Sequence, residues 1–167
     1  KSLMYFVLAI SAGLMLALAT VNDGSANDNH LEVSYLILSK GKTPDYTGCW
    51  QCYHPKFYHQ TVAEFWTSFE ITSKESRIIL AQLINAFAGI FTLLICLIFI
   101  LGQPFNRLVQ LLSFSMVALN PRFIAIHAQP SNDAFLILFG TLIIFSLYRF
   151  LKKPSMFFFL MILIASI

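Results

Sequence analysis

Apolar segments long enough to form membrane helices alternate with short polar segments along most of the chain. A helix needs about 20 mostly apolar residues to cross the hydrocarbon core of a bilayer. The apolar segments cover residues 3–21, 78–101, 108–127, 134–150 and 156–167. The third is interrupted at Asn120–Arg122, and the last is too short to cross a bilayer. This pattern predicts an all-α, polytopic transmembrane protein with four complete spans and part of a fifth.

The longest polar segment, residues 22–77, predicts a large loop that carries two amphipathic helices. The first would begin after a capping residue, Asn27 or Asp28, and end near Lys40–Gly41, because glycine commonly terminates helices. The second would run from Gln60 to Ile71, where apolar residues recur at three- and four-residue steps. We expect both helices to lie along the membrane interface with their apolar faces down.

The composition excludes several other classes of protein. Of the 167 residues, 57% are apolar and only 11% are charged, whereas soluble domains contain roughly 25% charged residues. Such a hydrophobic chain is neither a soluble domain nor a disordered one. The net charge is only +3 and the basic residues form no long stripe, so we expect no nucleic-acid partner.

The distribution of charge predicts the orientation of the spans. If the N-terminus is cytoplasmic, the cytoplasmic segments are purely basic, which agrees with the positive-inside rule. Their charged residues are Lys1, Arg107, Arg149, Lys152 and Lys153. All eight acidic residues then fall on the other side, so the loop of residues 22–77 is predicted to lie on the periplasmic or lumenal side. We treat residues 1–167 as a single transmembrane domain, and expect it to be the N-terminal part of a longer chain.

The large loop contains a cluster of cysteine and histidine residues: Cys49, Cys52, His54 and His59. Three interpretations are open from the sequence: unpaired thiols with solvated histidines, a Cys49–Cys52 disulfide in an oxidising compartment, or a zinc site. A single pair of cysteines three residues apart is a weak metal signal. We therefore predict no metal site, although a divalent metal is permitted.

Charged residues close to the ends of the spans are candidates for chemistry. Asp28 follows the first span by seven residues, and its carboxylate is placed either to cap a helix or to accept a proton from a hydroxyl nucleophile. Arg122 and His127 interrupt the third apolar segment and are suited to bind an anionic phosphate. The alternatives are that Arg122 extends to lipid headgroups and that Asp133 caps the next helix.

The order of these features resembles the polyprenyl-phosphate-sugar-dependent glycosyltransferases of the GT-C fold, particularly the protein mannosyltransferase and aminoarabinose transferase group. Three segments carry the resemblance: Asn27–Leu31, His54–His59, and the span that opens with Ser131–Ala134 and ends near Tyr148–Pro154. The chain departs from the family pattern in having Asn29 in place of a second acid, Lys56 in place of a second proline, and the two nearby cysteines.

The resemblance implies an inverting enzyme that moves a hexosyl or pentosyl group from a polyprenyl- or dolichyl-phosphate donor, at the outer or lumenal face of a bacterial inner or ER-type membrane. Asp28 would be the general base. The acceptor would be a lipid, a glycan or a protein. Candidates for binding the donor phosphate are Lys56, Tyr58, His59, Arg122 and His127. Candidates for the acceptor or loop site are His30, His54 and Asp133.

Two other functions fit the same topology. One is a transporter component, which predicts ionisable residues near mid-span, whereas here the second span contains only the neutral polar residues Gln82, Asn85 and Thr92. The other is a non-catalytic assembly or binding subunit, which would contact its partner through aromatic residues of the large loop such as Trp66.

Overall fold

The computed structural model describes residues 1–22 and 29–166, and every regular element in these residues is an α-helix. The helices are α1 (Ser2–Val21), α2 (Glu32–Lys40), α3 (Phe57–Ser68), α4 (Lys74–Leu101), α5 (Arg107–Ala118), α6 (Pro121–His127), α7 (Asp133–Lys152) and α8 (Met156–Ala165). The predicted all-α, polytopic membrane architecture is confirmed.

Three of these helices, α1, α4 and α7, are long and apolar enough to cross a membrane individually. A fourth crossing is available from α5 and α6 together, which meet at a bend of 48°. The ten-residue helix α8 is apolar but shorter than a span. Helix α4 lies at the centre of the bundle and packs against α1, α5, α6 and α7. Buried residues such as Met15, Leu93 and Phe114 form the core between these helices.

The bend between α5 and α6 has a direct cause in the sequence. Proline at position 121 lacks the backbone N–H that a continuous helix would need. The side chain of Asn120 instead starts a new helix, because its Oδ1 accepts hydrogen bonds from the backbone N–H groups of Arg122 and Phe123. On the other side of the bend, the Ser11 hydroxyl of α1 donates a 2.6 Å hydrogen bond to the carbonyl of Ala118. The crossing formed by α5 and α6, the third in chain order, is therefore broken, and α1 is hydrogen-bonded to it at the break.

The loop helices α2 and α3 pack against each other and onto the start of α4 through a second apolar core. Helix α2 ends at Gly41, as predicted, with glycine in the left-handed conformation (φ 65°). Its N-terminal position is Leu31, so neither Asn27 nor Asp28 occupies the predicted capping position. Trp66 is 1% exposed within the second core and is not a surface aromatic of the kind that the assembly-subunit hypothesis needs.

Helix α3 begins and ends three residues earlier than the predicted 60–71 segment. It ends early because Glu70 takes the left-handed conformation (φ 51°). The backbone N–H of Ile71 then donates to the carbonyl of Trp66, and that of Glu70 donates to Thr67. These two bonds form a Schellman motif, which usually has glycine in place of Glu70. The apolar pattern in the sequence extends beyond the end of α3 because Ile71 packs back onto the same core.

A glycine in the middle of α4 allows three helices to approach closely. A Cβ atom at Gly89 would lie 2.7 Å from Met15 Sδ and 2.7 Å from His127 Cγ. We expect Gly89→Ala to lower the free energy of unfolding by about 1–3 kcal/mol, because overpacking outweighs the better helix propensity of alanine. Thermal unfolding of the purified protein measures this. The control is Gly13→Ala in α1, where an added Cβ has no heavy atom within 4 Å. Equal melting temperatures for the two variants would contradict the prediction.

Candidate active site

Two side-chain amides of α4 fix the ends of the neighbouring spans on one side of the bundle, here called the loop end. Nε2 of Gln82 donates a hydrogen bond to the carbonyl of Asn22, just after α1. Nδ2 of Asn85, one turn further along, donates to the carbonyls of Gln129 and Ser131 at 2.5 and 2.7 Å. The C-terminal end of α1 and the α6–α7 connection are therefore anchored side by side to the same face of α4.

Tyr58, at the start of α3, reaches down to this anchored region. Its side chain is buried, and its ring packs edge-on against Phe135 of α7 with centroids 5.4 Å apart. Burial raises the pKa of the Tyr58 phenol far above its usual range, although the neighbouring Asn85 side chain favours the ionised form slightly. The hydroxyl is therefore protonated at neutral pH. Within the described residues no hydrogen bond of normal geometry reaches this buried hydroxyl.

His59 follows Tyr58 and is also buried, with 1% of its surface exposed. Its Nδ1 lies 3.3 Å from the Ser34 hydroxyl of α2. Burial lowers the pKa of His59 from 6.5 to about 4, and the charges of Lys56, His54 and His30 act in the same direction. The imidazole is therefore neutral at pH 7. Nε2 of His59 has no hydrogen-bond partner among residues 1–22 and 29–166. In the tautomer in which the Ser34 hydroxyl donates to Nδ1, Nε2 carries the proton.

The structure thus brings three other candidate residues within electrostatic range of His59: His30, His54 and Lys56. Lys56 is half-buried, and burial lowers the pKa of its ammonium group. Its Nζ donates to the carbonyl of Cys52 and lies 5.4 Å from the centre of the Tyr46 ring. This cluster provides one amine and several imidazoles, a set of hydrogen-bond donors suited to an anionic group.

Cys49 and Cys52 form a disulfide. Because both sulfurs are bonded to each other, neither is a thiolate ligand, which removes two of the four groups from the alternative zinc site. No set of three or more potential metal-binding side chains comes together in the part of the chain that the structure describes. The disulfide closes the turn that leads into His54 and Lys56.

Arg122 and His127, both on α6, do not come together. Five residues apart, they lie on different faces of the helix: Arg122 is exposed, whereas His127 is fully buried against α1 and α4. Nδ1 of His127 lies 2.8 Å from the carbonyl of Phe123. The two side chains therefore do not form the joint phosphate site that their proximity in sequence suggested.

Of the two acidic candidates, the structure describes Asp133 but not Asp28. Asp133 is exposed and is the first residue of α7; the capping position belongs to Asn132, so Asp133 does not cap this helix. Asp28 lies outside the described residues. The carbonyl of Asn29 accepts a hydrogen bond from the backbone N–H of Glu32.

Sequence reasoning missed the anchoring role of Gln82 and Asn85 and the pairing of Ser34 with His59. The two amides could have been recognised from the sequence, because polar side chains inside an apolar span are costly and usually face a partner or a functional cavity. Ser34 could not, since an isolated serine in an amphipathic helix is unremarkable.

Comparisons with known proteins identify the family of the chain. The profile of the family described as dolichyl-phosphate-mannose-protein mannosyltransferase matches residues 51–167. The chain belongs to this family. No curated protein and no solved structure gave a significant match. The predicted family resemblance is thereby confirmed at the level of the protein mannosyltransferases.

Family membership establishes that the protein is an integral membrane glycosyltransferase of the mannosyltransferase type, with a dolichyl-phosphate sugar as donor. The matched region of this mannosyltransferase includes most of the candidates: His54, Lys56, Tyr58, His59, Arg122, His127 and Asp133. It also includes the two amides of α4. Asp28 and His30 precede it.

The depressed pKa of His59 predicts an acid-sensitive fold for the mannosyltransferase. Between pH 6.5 and 4 the unfolded state binds a proton at this residue that the folded state does not. Stability is therefore lost as the pH falls through this range, by about 2 kcal/mol between pH 7 and pH 5. We expect His59→Gln to remove this part of the pH dependence, measured as the change in melting temperature between the two pH values. His54→Gln, at a half-buried position, is the matched control, and an equal effect in both variants would contradict the assignment.

Proposed function

We propose that this protein transfers mannose from dolichyl-phosphate mannose to a hydroxyl group of a protein acceptor, with inversion at the anomeric carbon. The observation that carries the proposal is the family match over residues 51–167, which contains Lys56, Tyr58 and His59. We further propose that the reaction takes place on the lumenal or outer face. The purely basic residues at the opposite end of the bundle support this orientation.

Asp28 is proposed as the general base. Its carboxylate would accept the proton of the acceptor hydroxyl while that oxygen forms a bond to the anomeric carbon. The bond from this carbon to the phosphate oxygen would break, releasing dolichyl phosphate. The order of residues along the chain supports this assignment, because Asp28 precedes His30 by two positions and the His30 charge acts on His59.

The leaving dolichyl phosphate is already a stable anion, so the site needs hydrogen-bond donors more than a strong general acid. We propose that Nε2 of His59, the hydroxyl of Tyr58 and the ammonium group of Lys56 donate to its oxygens. Buried donors are effective here because they are oriented before the reaction, in an environment from which water is largely excluded. The neutral state of His59 makes it a hydrogen-bond donor to the phosphate and not a counter-ion.

The experiment that tests the proposal measures transfer by the protein in nanodiscs from three labelled donors to a serine- and threonine-containing peptide. The donors are dolichyl-phosphate mannose, dolichyl-phosphate glucose and GDP-mannose. We expect labelled peptide with the first donor only. Transfer from GDP-mannose at a comparable rate would overturn the choice of donor. Sugar release from dolichyl-phosphate mannose without labelling of the peptide would overturn the choice of acceptor.

A further inference from the structure

A polar cavity lies at the end of the bundle opposite the loop end, where α4 and α7 finish. This cavity, here called the basal pocket, has a volume of about 230 Å³. Its polar lining comes from Gln103, Tyr148, Arg149 and Lys152, and none of its lining residues is acidic. Because the pocket lies at the end of two membrane-spanning helices, it is at the level at which lipid headgroups meet the protein.

Hydrogen bonds between neutral polar groups fix the floor of the basal pocket, and neither Arg149 nor Lys152 takes part in these bonds. The Tyr148 hydroxyl donates to Oε1 of Gln103, while Nε2 of Gln103 donates to the carbonyl of Phe99. Nε2 of Gln110 donates in turn to the carbonyl of Gln103. The α4–α5 connection is therefore fixed against α7, and the polar groups of Gln103 are engaged within the protein.

The two cations are held by aromatic rings at the rim of the pocket. Lys152 Nζ lies 5.7 Å from the centre of the Tyr148 ring, and Arg149 Cζ lies 5.5 Å from the centre of the Phe158 ring of α8. Both contacts are within the range of a cation–π interaction. Such contacts reduce the conformational freedom of the long side chains without neutralising their charge. A phosphate group matches this arrangement, because guanidinium binds two of its oxygens at once and ammonium adds a point charge.

An apolar groove of about 310 Å³ adjoins the basal pocket and shares Phe99 and Phe145 with it. The groove runs between α4, α5 and α7, and its walls include Ile95, Cys96, Val117 and Ile144. The two cavities together have a cationic, hydrogen-bonding end at the membrane boundary and an apolar extension toward the middle of the bundle. This is the shape and polarity of an anionic lipid with its headgroup at the surface and a chain in the groove.

We propose that the basal pocket and the apolar groove together bind one anionic glycerophospholipid, with its phosphate between Arg149 and Lys152 and one acyl chain along Phe99 and Phe145. This site is separate from the candidate active site and does not depend on the proposed transfer reaction. We expect each cation that contacts the lipid phosphate directly to change binding about fivefold.

Native mass spectrometry of the full-length protein tests the proposal in micelles containing equal amounts of dioleoyl-phosphatidylglycerol and dioleoyl-phosphatidylcholine. We expect wild type to retain phosphatidylglycerol in preference to phosphatidylcholine. Arg149→Gln and Lys152→Gln should each reduce this preference about fivefold. The matched control is Lys153→Gln, which removes the same charge one residue outside the pocket and should leave the preference unchanged. No preference in wild type, or an equal loss in the Lys153→Gln variant, would overturn the proposal.

Two competition experiments distinguish the other sources of a phosphate group. Glycerol 3-phosphate in excess should not displace the bound lipid, because it cannot occupy the apolar groove; displacement would show a site for free phosphate. Dolichyl phosphate at an equal concentration should leave most of the phosphatidylglycerol bound. Preferential retention of dolichyl phosphate would overturn the choice of a glycerophospholipid. Both competitions use wild type, so they remain informative even if a variant fails to fold.

Discussion

Mannosyl transfer by the Asp28→Asn variant is expected to be at least about 100-fold slower than by wild type, because a positioned general base contributes roughly 10²–10⁴-fold to such a reaction. Asparagine has nearly the same shape but cannot accept the proton of the acceptor hydroxyl. The loss should appear in kcat at saturating donor and acceptor, while the affinity for dolichyl-phosphate mannose stays close to that of wild type. Single-turnover measurements in nanodiscs separate the chemical step from binding.

The matched control for this variant is Asp45→Asn. Asp45 is an exposed residue in the turn before the disulfide, and its backbone carbonyl accepts a hydrogen bond from the backbone N–H of Gly48. The Asp45→Asn variant also removes one carboxylate from the large loop and should transfer mannose at the wild-type rate. If the Asp28→Asn variant is folded and transfers mannose at the wild-type rate, Asp28 is not the base.

The second large effect is expected at Asn85, whose amide holds the α6–α7 connection. Asn85→Leu leaves the carbonyls of Gln129 and Ser131 without their donor, at a cost of roughly 1–3 kcal/mol for each buried carbonyl. Releasing this connection also shifts the start of α7, against which Tyr58 packs. We therefore expect both a lower melting temperature and transfer reduced by about 100-fold, since displacement by about 1 Å is enough for such a loss.

Gln110→Leu separates the two effects. Gln110 is also a buried amide in a span, and it donates to the carbonyls of Ile100 and Gln103 at the end of the bundle away from the candidate active site. Its loss should lower the melting temperature by a similar amount without slowing the transfer reaction measured below that temperature. Similar activity loss in both variants would show that Asn85 acts through general stability alone.

The spans and the ends of the loop helices were predictable where a local property decides the structure. Long apolar segments predicted α1, α4 and α7, and glycine predicted the end of α2 at Gly41. The interruption at Asn120–Arg122 indicated the bend that separates α5 from α6. The end of α3 was missed because the left-handed turn is made by Glu70, a residue type that does not signal it.

The candidate site was predictable only as a set of residue types. His59 was selected from its residue type and position, but its charge state depends on burial beneath α2, which no local pattern reveals. Arg122 and His127 were grouped because they are close in sequence, whereas the helix directs them to different faces. The anchoring of α1 and of the α6–α7 connection depends on contacts between residues more than 40 positions apart.

The break in the third span has a consequence for biosynthesis in the membrane. Helix α5 has twelve residues and α6 has seven, lengths of about 18 and 10 Å, so neither crosses a hydrocarbon core of about 30 Å by itself. Backbone carbonyls at the break would be unpaired if they met lipid, which costs several kcal/mol for each group. The Ser11 hydroxyl of α1 satisfies the carbonyl of Ala118. The α5–α6 segment can therefore leave the insertion machinery stably only after α1 and α4 are in place to receive it.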